Sequence, residues 1–382
     1  MNQHIKKIII SIPCLLLGGT EIATLAMIRA LIRSNYHVIL ICYYEHDYSM
    51  IKRFESIGTD IKLLNLKRGG IKSLLKLLFI LINLFNKLKP DVIHVQYLAP
   101  GMIPIFAAKA SGIKNIFATI HASGKAGFGF KAKIMFRISA FLSDHFFCVS
   151  KNVEKFWFGE TDNRLKQNLF NTDHSVIYNC VNMALFNSDV IPVQIKGLTH
   201  DNITIGIIGR VVHLKGHDIL LKSISLLIKK YPEIKLLIIG NGDDLKKFQT
   251  LSKKLELEKC VIWCGSVEPE KLPQYYKAMD IFVMPSRYEG FGLTAIEAMA
   301  SGVSVIGSNV DGLKEVIGTD NTNGLLFTMG SYKDLSSKIE KLLLNTNLRK
   351  KIIINGKNRV NKLFSLKQHD AKWQKTYNAL IK

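Results

Sequence analysis

Short all-apolar runs alternate with stretches of helical period, and the alternation occurs twice along the chain. No other feature restricts the fold as much. In the first half Ile8–Leu17, Tyr36–Tyr43, Val92–Val95, Ile116–Ile120, His145–Val149 and Ser175–Tyr178 read as strands. Between them Glu21–Arg33, Ile51–Ile57, Ile71–Leu88 and Lys131–Leu142 read as helices, and another helix ends at Ala107–Ser111. The pattern then restarts, with strands at Ile203–Ile208, Lys235–Ile239, Val261–Trp263 and Ile281–Met284. Strands with no polar face need cover on both sides, which means a parallel sheet between two helix layers. At 382 residues the chain is long for one core and suits two. The expected fold class is therefore α/β, with two doubly wound parallel-sheet domains facing across a cleft, where open sheets of this kind bind ligands.

The expected division is a first domain over residues 1–187, a polar linker over 188–200 and a second domain over 201–365. A last helix, 366–382, is expected to cross back to the first domain. Lys6-Lys7 followed by the apolar run to Leu17 has the outline of a signal peptide. It lacks a small-x-small cleavage site, and a first core strand is the better reading. No run reaches 18 uncharged apolar residues, so no spanning helix is expected. Six cysteines without disulfide or zinc spacing read as buried thiols in a reducing compartment. Gly240-Asn241-Gly242 begins like a dinucleotide fingerprint, but Leu245 stands at the third glycine, and no phosphate-loop GK[ST] occurs. Dehydrogenase and ATPase classes are thereby disfavoured. Asp243-Asp244, opening a helix, reads as an N-cap and not as a metal site; neither metal nor cofactor is expected.

Chemistry concentrates in Pro285–Gly312. A strand ends at Met284, Gly290-Phe291-Gly292 leads into the helical run Leu293–Ala300, and Gly302 closes that helix. Free N–H groups and the helix dipole make such a start an anion site. Glu289 lies just before it and Glu297 on the helix behind it. Carboxylates beside an anion site weaken phosphate binding unless sugar hydroxyls occupy them, so the pattern reads as a nucleotide-sugar pocket. Gly209-Arg210 leaves the first strand of the second half, and Lys215-Gly216 follows in the same loop. An Arg and a Lys there suit a diphosphate. Gly18-Gly19 after strand one lets backbone approach a ligand. His121 ends a strand before a loop containing Gly124, Gly127 and Gly129, and should point into the cleft. His94, between Ile93 and Val95, reads as packing; His213 and His217 fit either role.

These residues together resemble the retaining glycosyltransferases of family 4. The resemblance rests on Glu289-x7-Glu297 within EGFGLTAIEAMASG, the GR…KG loop, the Gly-Gly-x-Glu turn, VIYNCVN at Val176–Asn182 and GNGDD at Gly240–Asp244. It implies the GT-B architecture, two Rossmann-like domains around a cleft. It further implies that Arg210 and Lys215 neutralise the donor diphosphate, with Gly209 beside them. Glu297 would bind ribose hydroxyls and Glu289 the transferred sugar, while the N–H groups of Phe291, Gly292 and Leu293 meet the phosphates. Gly18 and Gly19 would approach the diphosphate, and His121 would lie beside the donor sugar. Retention and metal independence come from the resemblance. Ala122 stands where many relatives carry an acid, which bears on how the acceptor loses its proton.

The formal net charge of +22 asks for an anionic partner. From Lys62 to Arg137 thirteen Lys and Arg face one acid, Asp91. Ile71–Leu88 interleaves Lys72, Lys76 and Lys87 with apolar residues, as an interfacial helix does, and Lys125, Lys131, Lys133 and Arg137 bracket Phe128, Phe130 and Phe136. The second half is basic too, with 28 Lys and Arg against 18 acids, but carries no nucleic-acid motif. The expectation is a bacterial hexosyltransferase-type enzyme, peripheral on the inner face of the cell membrane. It would move sugar from a nucleotide donor, UDP-sugar favoured, to a lipid-linked glycan in polysaccharide, O-antigen or capsule synthesis. The alternatives weighed are a sugar-nucleotide epimerase of the same architecture and a non-catalytic anion-binding membrane-surface protein.

Overall fold

The computed structural model describes residues 5–97, 102–122, 130–159, 173–186 and 189–381, with backbone alone at Tyr97, Phe130, Lys131 and Lys133. Gly124, Lys125, Gly127, Phe128, Gly129 and the side chains of Phe130, Lys131 and Lys133, singled out above, lie outside the described residues.

Met1–Asn179 and Leu366–Lys382 form one compact unit and Cys180–Ser365 the other. The first runs β1 (Lys7–Ile12), α1 (Gly19–Arg33), β2 (His37–Cys42), α2 (Tyr48–Glu55), β3 (Asp60–Leu63), α3 (Ile71–Leu88), β4 (Val92–Tyr97), α4 (Met102–Ala110), β5 (Asn115–Ile120), α5 (Phe130–Leu142), β6 (His145–Cys148), α6 (Lys151–Phe158) and β7 (Asp173–Val176). Its sheet is parallel throughout, in the order β3-β2-β1-β4-β5-β6-β7. Ile10 pairs with Leu40 on one side and His94 on the other. Right-handed crossovers on either side of β1 send α1 and α2 to one face of the sheet and α3, α4 and α5 to the other.

In the second unit come β8 (Ile203–Ile208), α7 (His217–Leu227), β9 (Ile234–Ile239), α8 (Leu245–Lys254), β10 (Val261–Gly265), α9 (Leu272–Lys277), β11 (Ile281–Met284), α10 (Leu293–Ser301), β12 (Ser304–Ser308), α11 (Asp311–Ile317), β13 (Leu325–Phe327), α12 (Tyr332–Leu344) and α13 (Thr346–Leu363). The parallel order is β10-β9-β8-β11-β12-β13. The chain order reverses direction between β8 and β11, so the loops leaving those two strands emerge side by side.

Several elements depart from the sequence expectation. Strand β1 stops at Ile12, because Pro13 follows and the chain leaves the sheet, with Tyr44 N still donating to Pro13 O at 3.0 Å and a bridge from Leu15 to His46. Strands β3 and β13 and helices α6, α11 and α13 were not anticipated. In α13 the mid-helix Gly356 weakens the sequence signal. A Cβ there would come within 3.2 Å of Asn323 O and 3.4 Å of Met299, so the glycine allows close packing. Segment 180–200, expected to finish one domain and link to the next, lies where described in the second unit. There Phe186 packs on Tyr276, and Val193 N donates to Gln274 O at 3.2 Å.

Helix α14 (Leu366–Leu380) packs on α1 within the first unit and buries Trp373 and Tyr377 in its core. His94 is fully buried against Phe147 and Tyr377, its ring nearly parallel to both. Its Nδ1 bonds the Tyr377 hydroxyl, and its Nε2 lies 2.7 Å from Thr119 Oγ1. Burial pushes its pKa down to about 3, so the ring stays neutral. Tyr377→Ala should therefore destabilise the first unit by about 3–5 kcal/mol through the cavity and the orphaned imidazole. Asn378→Ala, which removes only an exposed bond to Tyr36, should cost under about 1 kcal/mol. Urea unfolding followed by tryptophan fluorescence compares the two; equal effects would show that α14 is not part of that core.

Candidate active site

Two loops build the candidate site of the second unit. The first leaves β8 at Gly209, turns through a 3-10 segment at His213–Lys215 and starts α7 after Gly216. The second leaves β11, passes Arg287 and Glu289 and starts α10 at Leu293. Gly216 has φ +73°, and a Cβ on it would lie 2.0 Å from the carbonyl oxygen of Pro285. Only glycine lets the two loops come this close. Arg287 then fastens them. Its Nη1 and Nη2 donate to Asp218 Oδ1 and Oδ2 at 2.8 and 2.7 Å, Nη1 also donates to His213 O at 2.8 Å, and Arg287 N donates to Leu214 O at 2.8 Å. Burial pushes the Asp218 carboxyl up, but the Arg287 fork outweighs it and holds the group below its usual range.

Asp244 holds the other side of the first loop. It was expected to cap α8, yet its side chain makes no cap bond; Oδ2 instead accepts from His213 N at 2.6 Å. His217 is buried against Phe248, ring centroids 5.5 Å apart, and burial lowers its pKa to about 4, so it is a packing residue. His213 serves the loop through its backbone, and its side chain is exposed.

On this framework Lys215 Nζ meets Glu289 Oε2 at 2.7 Å, both side chains partly buried. Arg210 is exposed, and its guanidinium makes no hydrogen bond or ion pair among the described residues. Gly292 is the N-cap of α10 with φ +112°, a left-handed conformation that turns the chain into the helix. Phe291 packs its ring on Phe364 at 5.4 Å. At the start of α10 Gly292 O accepts from Ala295 N at 3.1 Å and from Ile296 N at 3.3 Å, while the N–H groups of Leu293 and Thr294 have no acceptor among the described residues. Glu297 lies one helical turn further along. Its Oε2 accepts from the buried Tyr276 hydroxyl at 2.7 Å. The side chain keeps some exposure, but burial of the carboxyl raises its pKa to about 7 against the opposing pull of Tyr276.

The structure thus gathers Gly209, Arg210, Lys215, Glu289, Phe291, Gly292, Leu293 and Glu297 on the strand ends of one unit. Sequence reading missed Arg287, Asp218 and Tyr276, and took Asp244 for a cap. It also missed Gly312, where a Cβ would sit 2.4 Å from Glu289 O and so displace the second loop.

In the first unit Gly18 is the extended N-cap of α1 and Gly19 its first residue. The space beside Gly18 is taken by Glu21, whose Oε2 would lie 2.6 Å from a Cβ there. The glycine makes room for that carboxylate. His121 follows β5, and its Nε2 lies 2.7 Å from Gln96 Oε1. That carbonyl accepts, so the ring proton sits on Nε2 and Nδ1 is left as an acceptor. Burial lowers the His121 pKa to about 4. Among the described residues no three His, Cys, Asp or Glu side chains gather as a metal site would require.

Two parallel-sheet α/β units of this kind are the architecture of the GT-B glycosyltransferases. Anabaena HepE, solved with UDP and glucose, superposes with a TM-score of 0.81 at 17% identity, over 99% of this chain and 100% of that one. A Rickettsia africae glycosyltransferase gives 0.79 at 22%, over 99% of each. Sequence families narrow the class. Residues 193–359 match the model described as Glycosyl transferases group 1, and residues 17–184 match Glycosyltransferase Family 4. With nearly the whole length so matched, the chain belongs to this glycosyltransferase family and is a glycosyltransferase. Similar proteins include the capsular polysaccharide biosynthesis glycosyltransferase CapM of Staphylococcus aureus, 29% identical over 82% of either chain. An uncharacterized glycosyltransferase of Methanocaldococcus jannaschii is 28% identical over 89% of either.

Two outcomes follow from this geometry. Arg287→Gln should raise the donor KM about ten-fold by loosening both loops, with Arg287→Lys restoring only part of it, because a lysine cannot fork onto Asp218. Unchanged KM in both variants would show that the fork does not position the site. If Glu297 accepts donor hydroxyls as a carboxylate, that form is lost below its pKa of about 7. Donor KM should therefore rise roughly ten-fold for each unit of pH below that value. Tyr276→Phe removes the donor that favours the carboxylate and should move the midpoint to higher pH. A KM flat across this range would remove Glu297 from donor binding.

Proposed function

We propose that this glycosyltransferase moves a sugar from a nucleoside diphosphate donor, a UDP-sugar above others, to a membrane-associated, lipid-linked glycan, with retention of anomeric configuration and without a divalent metal. The observation that carries the reading is the Lys215–Glu289 pair at the start of α10, with Glu297 one turn behind. The departing group is a nucleoside diphosphate, and stabilising its growing charge is the main catalytic task. Arg210 and Lys215 meet the diphosphate, with the backbone of Gly209 alongside and the N–H groups of Phe291, Gly292 and Leu293 at the helix start. Lys215 turns from Glu289 to phosphate as donor binds, and Glu289 is released to accept from hydroxyls of the transferred sugar. Glu297 takes the ribose hydroxyls.

From the first unit, Gly18 and Gly19 offer backbone to the diphosphate, and His121 lies beside the donor sugar as a neutral ring. Fixed cations and a helix dipole take the place of a metal, and the transition state has oxocarbenium character. HepE was solved with UDP and UDP-glucose, which supports the donor class. CapM, in capsular polysaccharide synthesis, and WaaG, in lipopolysaccharide biosynthesis, support a bacterial surface glycan as product. No helix among the described residues is long and apolar enough to cross a membrane, and we place the enzyme peripherally on the cytoplasmic side.

The test is transfer of labelled sugar into extractable lipid from a panel of UDP-, GDP- and ADP-sugars, with and without EDTA. Transfer from one donor should be unaffected by EDTA. Lys215→Ala should lower kcat/KM by roughly 100-fold or more, and Glu297→Ala should abolish product. The anomer formed, read by NMR, decides retention. Donor consumed with no acceptor present would favour an epimerase, and activity unchanged in Glu297→Ala would remove this site from the reaction.

A further inference from the structure

The two faces of the first unit's sheet are finished differently. The α1–α2 face carries α14, which seals it with Trp373 and Tyr377. On the opposite face α3 packs on α4 and α4 on α5, and large apolar side chains of all three helices stay exposed. Helix α3 turns Leu77, Leu81 and Phe85 inward. Its outward stripe, at spacings of four, is Ile71, Leu75 and Phe79, with Ile71 76% and Phe79 63% exposed. Phe106 of α4 and the stripe Ile134, Ile138 and Phe141 of α5 continue it, Phe141 being 76% exposed. A bare apolar surface spread over three helices marks an interaction site.

Charge says what covers it. Lys72 and Lys76 lie on the flank next to the α3 stripe, Lys109 is one turn from Phe106 on α4, and Lys114 follows that helix; all four are exposed, without an ion pair among the described residues. Between Asp60 and Asp144 the one acid is Asp91, and its carboxylate accepts from Lys7 N at 2.7 Å. A second copy docked face to face would set lysine against lysine, which disfavours a homodimer. An anionic bilayer meets both demands, taking apolar side chains among its acyl chains and lysines among its phosphates.

We infer that the outer face of α3, α4 and α5 is the surface on which this protein lies against an anionic lipid bilayer. The helices lie on the membrane and do not span it. This deepens the membrane-associated function proposed above and rests on it for its setting alone, since vesicle binding is measured without donor or acceptor.

The experiment is co-sedimentation of the full chain with vesicles of phosphatidylcholine alone or mixed with phosphatidylglycerol, at low and high salt. The chain should bind the mixed vesicles, bind the neutral ones far less, and dissociate as salt rises. Lys72→Gln with Lys76→Gln should weaken binding about 25-fold, at roughly five-fold per lysine. The charge-matched pair Lys253→Gln with Lys254→Gln on α8 should leave it unchanged. Phe79→Ser with Phe141→Ser should lower binding at least about ten-fold with circular dichroism and melting unaltered, because both rings are exposed.

Wild-type protein that stays in the supernatant with anionic vesicles overturns the inference and its membrane setting together. Binding that survives the face variants, or falls equally in the α8 pair, overturns the face and leaves the setting. A dimer that Phe79→Ser dissociates, with no vesicle binding, makes the face a self-association surface and overturns the lipid assignment. Turnover of donor onto a detergent-solubilised acceptor reports on glycosyl transfer separately in every case.

Discussion

The fork of Arg287 on Asp218 is the contact on which the second unit's site depends. Parallel strands β8 and β11 bring two loops to the same edge of the sheet, but adjacency alone leaves each loop free to choose among many conformations, at a backbone cost of roughly 1–2 kcal/mol per residue fixed. Two N–H···O bonds at 2.7 and 2.8 Å, a third to His213 O and a glycine that admits the Pro285 carbonyl remove that freedom. Asp244 closes the first loop from its far side, and Gly312 lets α11 press on the second. Lys215 and Glu289 are thus brought to 2.7 Å by parts of the chain that have no chemical role themselves.

That framework answers a difficulty visible in the sequence, where two carboxylates flank an anion site. Neither presents a bare negative charge. Glu289 is balanced by Lys215 across a partly buried contact. The Glu297 carboxyl is held close to half-protonated near neutral pH, because burial disfavours its charge more than the Tyr276 hydroxyl favours it. Repulsion is therefore reduced at both positions by different means, one by pairing and one by desolvation. Each carboxyl still keeps an oxygen for hydroxyl donors, which neutral side chains would provide less strongly.

How much of this could be read from the chain depends on range. Ile281–Met284 announces itself by an unbroken apolar run, and the α10 start by its glycines, because these signals lie within a few residues. Edge strand β3 does not: Asp60–Leu63 is short and half polar, since an edge needs little burial. Helix α13 is lost among Lys and Asn around Gly356, and its stability comes from packing on α10. The site residues followed the same rule. Glu289 and Glu297 sit inside one local motif, whereas Arg287 and Asp218 are 69 residues apart and meet only through strand order. Asp244 misled for the same reason. Its position suggested a cap on its own helix, and its partner is the His213 amide, 31 residues away.

The chemistry of the two units also differs in kind. In the second, every candidate group acts by charge or by backbone dipole. In the first, His121 is kept neutral by burial, its proton fixed on Nε2 by Gln96, and Nδ1 is left to accept. A ring with a pKa of about 4 carries no positive charge at neutral pH. It does supply a fixed acceptor, and Gln96, itself buried on β4, sets its direction. The residue after it, Ala122, adds no acid and is engaged through its carbonyl by Trp157 Nε1 at 2.8 Å. Within the first unit, then, the acceptor at position 121 is a neutral imidazole whose orientation is determined by a neighbouring strand.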